Sequence, residues 1–270
     1  MEIATSEATA GRRPRAFVGV RGPDAESYLQ RMVSNDVAAL GPGESCAALL
    51  LTAKARVIAP MVVFRRGRDD FLLLTEPELG ATLRNELLRF RFAAKVEIEP
   101  EDHDDYLLLA DEPPAGVVAV ANDEYGMRAW EVLDSHVPDD AVLLTEDELE
   151  ALRIRAGVAR FGKEIDERVL PAEAGLVDRA VSFTKGCYPG QEPIARLQYR
   201  GHANRGLRRL LVEGERPPAR ETPVEHDGRE VGRVTSAVRV EEGVVALAYV
   251  RTEVPAEAVL TVGSAPARQL

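Results

Sequence analysis

The sequence predicts an α+β fold followed by a small all-β tail, and three observations carry that prediction. Strand-like and helix-like segments mix through residues 15–205 without the strict alternation that a doubly wound parallel sheet needs. After Arg205 the helical periodicity stops and short strand candidates take over, as in a small closed barrel. The chain of 270 residues is 45% hydrophobic, enough for a sizeable core, and no apolar run reaches the roughly 18 residues of a membrane span. The expected division is a body over residues 1–205 and a barrel over 206–270. Residues 1–14 read as a loose tail, rich in Ala, Ser, Thr and Glu and lacking the apolar stretch of a signal peptide.

The elements follow in order. Ala16–Val20 reads as a strand, and Pro23 then suits the first position of a helix in which Ala25, Tyr28, Leu29 and Met32 share a face. Ser45–Leu51, Arg56–Phe64 and Phe71–Leu74 are apolar strand candidates, with residues 65–70 as a turn. Thr75 and Glu78 have the spacing of a capping box, opening a helix with Leu79, Leu83, Leu87 and Phe90 on one face. Strands are expected at Lys95–Ile98, Tyr106–Leu109, Val117–Val120 and Met127–Leu133. A second capping box, Thr145 with Glu148, opens a helix through Leu149, Leu152 and Ala156. In the tail, strands are expected at Leu207–Val212, Glu230–Val234, Val244–Val250 and Val259–Val262. His226-Asp227-Gly228-Arg229 has hairpin-turn chemistry.

A net charge of −11 argues against generic nucleic-acid binding but leaves room for a local basic pocket. Two cysteines make neither a disulfide framework nor a metal motif, and a reduced, cytoplasmic setting is the default expectation. Cys46 lies in an apolar run and reads as core. The four histidines match no ligand spacing, so no metal site is expected.

The most informative stretch is Lys185-Gly186-Cys187-Tyr188-Pro189-Gly190-Gln191-Glu192. It puts a thiol beside a lysine and just ahead of a helix N-terminus, both of which favour thiolate. A small packing cysteine in a strand-to-helix turn is the alternative reading. Gln191 and Glu192 would satisfy free N–H groups of the helix start. Arg196 and Arg200, four apart, share a helix face that suits an anionic tail or simply water.

The octet resembles the signature of the YgfZ-type folate-binding proteins, relatives of the T-protein (aminomethyltransferase) of the glycine cleavage system. The Arg153–Asp166 stretch, Leu170-Pro171, Glu173–Leu176, Gly22–Ala25 and Ser34–Val37 resemble further pieces of the shared pattern, in the family's order. This resemblance implies a folate-binding body with a C-terminal β-barrel, and tetrahydrofolate or another reduced folate as cofactor. By the same resemblance Glu131 pairs with the pteridine and Gly186, Tyr188, Gln191 and Glu192 of the octet are assigned to the cofactor site, to which Arg196 is added by its helix face, as a partner for the folate tail. Cys187, with Lys185, would be the active group.

Two departures from T-protein stand out. The Thr75–Thr82 stretch contains no aspartate, and Leu149 stands where T-proteins carry an arginine, so the aminomethyl chemistry reads as lost. The resemblance therefore implies an accessory protein for assembly or repair of iron–sulfur enzymes, with iron–sulfur client or assembly proteins as partners and no membrane. Two cysteines cannot hold a cluster alone. A folate-dependent one-carbon transferase or demethylase, and a folate-binding module without chemistry, are the alternatives.

Overall fold

The computed structural model describes residues 8–270. The expected loose N-terminus is a strand where it is described: β1 (Thr9–Gly11) is buried, while residues 1–7 lie outside the described residues. Then come β2 (Ala16–Arg21), α1 (Ala25–Met32), β3 (Ser45–Leu51), β4 (Val57–Gly67), β5 (Asp70–Thr75), α2 (Gly80–Arg89) and β6 (Glu97–Glu101). β7 (Asp105–Leu109), β8 (Val118–Asn122), β9 (Ala129–Leu133), β10 (Val142–Leu143) and α3 (Glu146–Ala156) follow. After α4 (Val177–Ala180) and α5 (Gln191–Arg200) the chain runs through β11 (Arg205–Val212), β12 (Pro223–His226), β13 (Arg229–Val240), β14 (Gly243–Arg251), β15 (Leu260–Val262) and β16 (Ala265–Gln269).

Two five-stranded sheets make the body, in the orders β3-β4-β5-β2-β6 and β10-β1-β7-β9-β8. Alternation in β2 explains how the first sheet is covered on both sides. Val18 and Val20 face α1 and α2, joining Tyr28, Leu29, Leu83 and Leu87 in one core. Phe17 faces the other way, onto Phe64, Leu72, Leu74, Val120 and Leu133, where the two sheets meet. The site described below lies along this seam. Strands β11 to β16 close into a barrel, filled by Leu210, Val224, Val234, Val244, Ala246, Val250 and Leu260. Its β12–β13 turn carries Asp227 and Gly228 at φ 51° and 71°, the left-handed pair a two-residue hairpin needs.

One capping box forms and the other does not. Thr145 accepts from the Glu148 amide while Glu148 accepts from the Thr145 amide, as the pattern predicts. Thr75 instead ends β5, fully buried, and its hydroxyl donates to the Pro60 carbonyl at 2.7 Å. A short 3₁₀ turn, Pro77–Leu79, then leads into α2 without a side-chain cap. Pro23 sits one residue before the N-cap Asp24, outside the first helical turn. Phe90 is the C-cap of α2 and is exposed, so it is not part of the apolar face.

The body meets the barrel through an apolar cluster of Ile154 with Val238, Val245 and Leu247, and through a carboxylate held by a buried ion pair. Arg153, in α3 and fully buried, reaches Glu164 at 2.8 Å and clasps Glu150 with two donors at 2.6 and 2.9 Å. The other Glu164 oxygen accepts from Ser236 of β13, and its carbonyl accepts from the Tyr249 hydroxyl of β14. The Arg153–Asp166 motif therefore has a mechanical job. It joins a helix, a loop and two barrel strands around one carboxylate.

Candidate functional site

An open cavity of about 890 Å³ lies between β3–β4 of the first sheet and β8–β9 of the second. That is at the upper end of what a drug-sized ligand needs. Asn122, Trp130, Val62, Arg128 and Arg179 line it, with the backbone turn at Gly126. Trp130 supplies an aromatic wall and is fixed by its ring N–H, which donates to the Ala110 carbonyl at 3.1 Å. Two arginines among the lining residues favour an anionic ligand, although Arg179 is also paired with Asp123 and Arg128 donates to the Asp111 carbonyl at 3.3 Å. Flat aromatic wall, side-chain amide and cationic lining residues suit a planar heterocycle with an acidic tail.

Behind Asn122 lies a chain of buried charges. Arg13 clasps Glu76 with two bonds of 2.8 Å and reaches Glu124 at 3.2 Å. Arg15 bridges Glu124, at 2.9 Å, and Glu131, to which its Nε donates at 2.8 and 2.9 Å. Asn122 then donates to Glu131 at 2.8 Å and accepts from the Glu124 amide at 2.8 Å. Burial alone would raise the Glu124 carboxyl, but Arg15 and Arg13 override it and hold the group well below the usual carboxylate range. The same carboxylates push both arginines up against the opposing effect of burial.

Glu131 is therefore placed differently from expectation. It is 1% exposed and does not line the cavity; its carboxylate is saturated by Arg15 and Asn122. Its effect on any ligand in the cavity passes through the Asn122 amide, whose two ends it and the Glu124 amide fix. The sequence reading missed Arg13, Arg15, Asn122 and Glu124. Arg13 and Arg15 sit at the edge of the presumed tail, far in sequence from their partners, and only the run Arg12-Arg13-Pro14-Arg15 hinted at them.

Asp105 of β7 shares a sheet face with Glu131, because Leu107 pairs directly with Glu131 in the β7–β9 register. Its Oδ2 is buried without a partner. Burial, with Glu131 adding to it, pushes this carboxyl up to about 6, against the opposing Arg15 and Arg13. A carboxyl raised on folding favours the fold below its unfolded value and costs stability as pH rises through its folded value. Asp105→Asn is expected to raise stability at pH 7 by about 1 kcal/mol, after discounting a two-unit shift for partial solvent screening. That gain should vanish below pH ~4, where the wild-type carboxyl is protonated in both states. Thermal unfolding of both proteins across this range checks it; an equal gain at every pH would contradict the assignment.

The octet forms a second locus. Cys187 is exposed, four residues before Gln191 opens α5. Gly190, at φ 83°, is the N-cap, and a Cβ there would lie 2.7 Å from the Thr52 carbonyl and 3.1 Å from Ala55 Cα. Only glycine lets the octet seat against the β3–β4 turn. Tyr188 is buried with its ring 5.3 Å from the Lys185 ammonium. Gly186 has open space around it. Gln191 is half-buried and Glu192 exposed, both in the first turn of α5.

Lys185 does not partner Cys187 in the way expected. Its ammonium donates to the Val33 and Asn35 carbonyls at 2.7 and 2.6 Å. Burial pulls it down to about 8, and the charges acting on it are those of Asp36 and Cys46. The reason is local. Ser34 accepts from the Leu49 amide and donates to the Ala180 carbonyl, and Asn35 donates to the Ala47 carbonyl at 2.7 Å, which leaves the backbone carbonyls beside them for Lys185. The Ser34–Val37 motif and the octet lysine thus stitch the octet loop to β3. Cys46 is half-buried at the cavity edge, and burial pushes its thiol up to about 11 despite Lys185.

Arg196 lies in a different place from the cavity. With Glu192, Leu197, Arg200 and Gly201 it borders a separate surface groove that shares no residue with the cavity. Helical spacing placed Arg196 and Arg200 on one face correctly but could not say which face meets which cleft. Among the described residues no group of three or more His, Cys, Asp or Glu side chains is arranged to hold a metal.

Comparison with known proteins adds relatives at two levels. Residues 204–269 match the family of the CAF17 C-terminal β-barrel domain, the segment that closes as a barrel here. A protein named tRNA-modifying protein YgfZ from Cronobacter sakazakii is 28% identical, over 84% of this chain and 79% of its own length. One of the same name from Yersinia pseudotuberculosis is also 28% identical, over 92% of this chain and 85% of its own. Aminomethyltransferase T of the glycine cleavage system from Bartonella henselae superposes with a TM-score of 0.84, covering 98% of this chain and 85% of its own at 17% identity, a likeness of fold.

Proposed function

We propose, from the premise that this chain is a YgfZ-type protein related to aminomethyltransferase T, that it is a reduced-folate-binding accessory protein for iron–sulfur enzymes and acts through Cys187. One observation carries the reading. The body holds a cavity of about 890 Å³ with an aromatic wall and arginines among its lining residues, while the octet cysteine stands exposed on a loop locked to the same sheet. Tetrahydrofolate occupies the cavity with its pteridine along Trp130 and near Asn122, which Glu131 orients. Its carboxylate tail lies toward Arg128 and Arg179. The partners are iron–sulfur client or assembly proteins, one of which supplies the remaining ligands of any cluster that Cys187 meets. The relatives' printed name, tRNA-modifying, fits a client that modifies tRNA.

The accessory reading is favoured over one-carbon transfer by the fate of Glu76. It is one of two acids in the stretch where T-proteins keep theirs, and Arg13 occupies both its oxygens in a buried ion pair, while the other, Glu78, is exposed and does not line the cavity. A carboxylate so engaged makes a poor general base.

Cys187→Ala is expected to abolish support of client iron–sulfur enzyme activity in cells lacking the wild-type protein, with folate affinity unchanged. In the purified protein, iodoacetamide followed by mass spectrometry should label Cys187 well before Cys46 at neutral pH, because the Cys46 thiol is half-buried and its desolvation holds it neutral, whereas Cys187 is exposed. Full rescue by Cys187→Ala would end the role of the thiol.

A further inference from the structure

The turn between α2 and β6 presents two phenylalanines to solvent. Phe92 is 86% exposed and Phe90 is 42% exposed, and their rings meet edge to face with centroids 6.5 Å apart. The turn is tight: the Phe90 amide donates to Leu87, Arg91 to Leu88, and Ala94 to Arg91. Phe92 occupies its second position at φ 43°, a left-handed conformation that suits glycine or asparagine and that a bulky side chain adopts at a cost. Folding gains nothing visible from this choice, since the ring is bare. On and beside the turn stand Arg89, Arg91 and Lys95, all exposed, with the Arg89 guanidinium 5.4 Å from the Phe90 ring and 3.6 Å from Glu86, and exposed Arg31 at the end of α1 acts with Arg91 on Tyr28 beneath. Helix-end dipoles account for Arg31 and Arg89 but not for Arg91, Lys95 or the rings.

We infer that this turn is a docking site for an unpaired RNA segment. Rigidly held aromatic faces interleaved with arginines stack on exposed bases and neutralise phosphates, and such stacking is tolerant of sequence. Charge complementarity singles the spot out, because the chain as a whole carries −11. The same acidity argues against an anionic bilayer. A bilayer presents an extended negative plane that the net charge of −11 repels as a whole, whereas a short single strand meets chiefly the charges within a Debye length of the turn.

The test is fluorescence anisotropy of a short labelled oligouridylate with the whole protein at low salt, with thermal unfolding of each variant alongside. Binding is expected, weakening as salt rises. Phe92→Gly relieves the backbone and should melt no lower than the wild type, yet bind at least ~10-fold more weakly. Arg91→Glu should weaken binding comparably. Absence of binding at low salt, or undiminished binding by Phe92→Gly, overturns the inference. So does Phe92-dependent binding to phosphatidylserine vesicles without binding to the oligonucleotide. Neither outcome bears on the folate cavity, which shares no residue with this turn.

Discussion

Arg153→Ala is expected to be the most damaging single substitution in this protein, costing about 3–5 kcal/mol. The side chain is fully buried, and its removal strands two carboxylates, those of Glu150 and Glu164. Glu164 is the more exacting of the two because its side chain is also fully buried. It keeps Ser236 and the Arg160 amide as partners, yet neither neutralises its charge. Glu150 retains Lys163 at 2.8 Å and suffers less. For a chain of this size each kcal/mol moves the melting temperature by roughly 2–4 °C, so a fall of about 10 °C is expected. Glu164→Gln, which keeps hydrogen-bonding capacity without the charge, should cost less. Urea or thermal unfolding decides the matter, and a loss under about 1 kcal/mol for Arg153→Ala would mean that the pair does not hold the barrel to the body.

The second large effect is expected at Glu131. Glu131→Gln keeps the volume, and an amide oxygen at the Oε1 position can keep the Asn122 bond, but the N–H₂ then faces the Arg15 Nε that donates to Oε2 at 2.9 Å. One donor must then go unsatisfied in a buried site, at a cost of about 1–3 kcal/mol. Turned the other way, the Gln N–H₂ meets the Asn122 N–H₂ instead, and Asn122 keeps a partner there only by turning over and abandoning the Glu124 N–H. Folate affinity should fall about 10-fold or more with it, because the amide at the cavity wall is reversed or displaced. The Arg15→Lys variant sharpens the test. Nη2 of Arg15 alone touches both Glu124 and Glu131, so an ammonium could take its place, but lysine has no second nitrogen for the two Nε bonds to Glu131, and stability should fall by a similar amount. If Glu131→Gln melts like the wild type, the buried charge chain is not coupled to the cavity.

How much of this could be read from the sequence depends on the range of the interactions involved. Thr145–Glu148 was legible because a capping box is closed within four residues. Thr75–Glu78 has the same spacing, but a distant partner, the Pro60 carbonyl, claims the hydroxyl within the sheet. Four of the six barrel strands were legible as alternating or continuously apolar runs, and the Asp227-Gly228 turn by its chemistry, whereas the short β12 and β16, which carry Pro223 and Pro266, were not. Strand β1 was not, since Thr9-Ala10-Gly11 has no pattern of its own and exists only by pairing with Leu107–Leu109 and Val142–Leu143. The octet marked the right loop, and Cys187 is exposed on it. Its lysine was assigned by proximity along the chain, whereas three-dimensional proximity gives it to the Val33 and Asn35 carbonyls. Arg196 was assigned by helical periodicity, which fixes a shared face but not the cleft that face borders. The charge chain from Glu76 to Glu131 joins residues from four separated segments, and nothing local announces it.

Central to the account is a reduced folate in the cavity beside Trp130, and isothermal titration of tetrahydrofolate tests it most directly. One binding site per chain is expected in the wild type, weakened about 10-fold or more in Trp130→Ala, where the aromatic wall and its buried area are lost. Arg196→Ala should bind as the wild type does, since that residue borders the other groove. No binding to the wild type, or binding that Trp130→Ala leaves intact while Arg196→Ala removes it, would contradict the account.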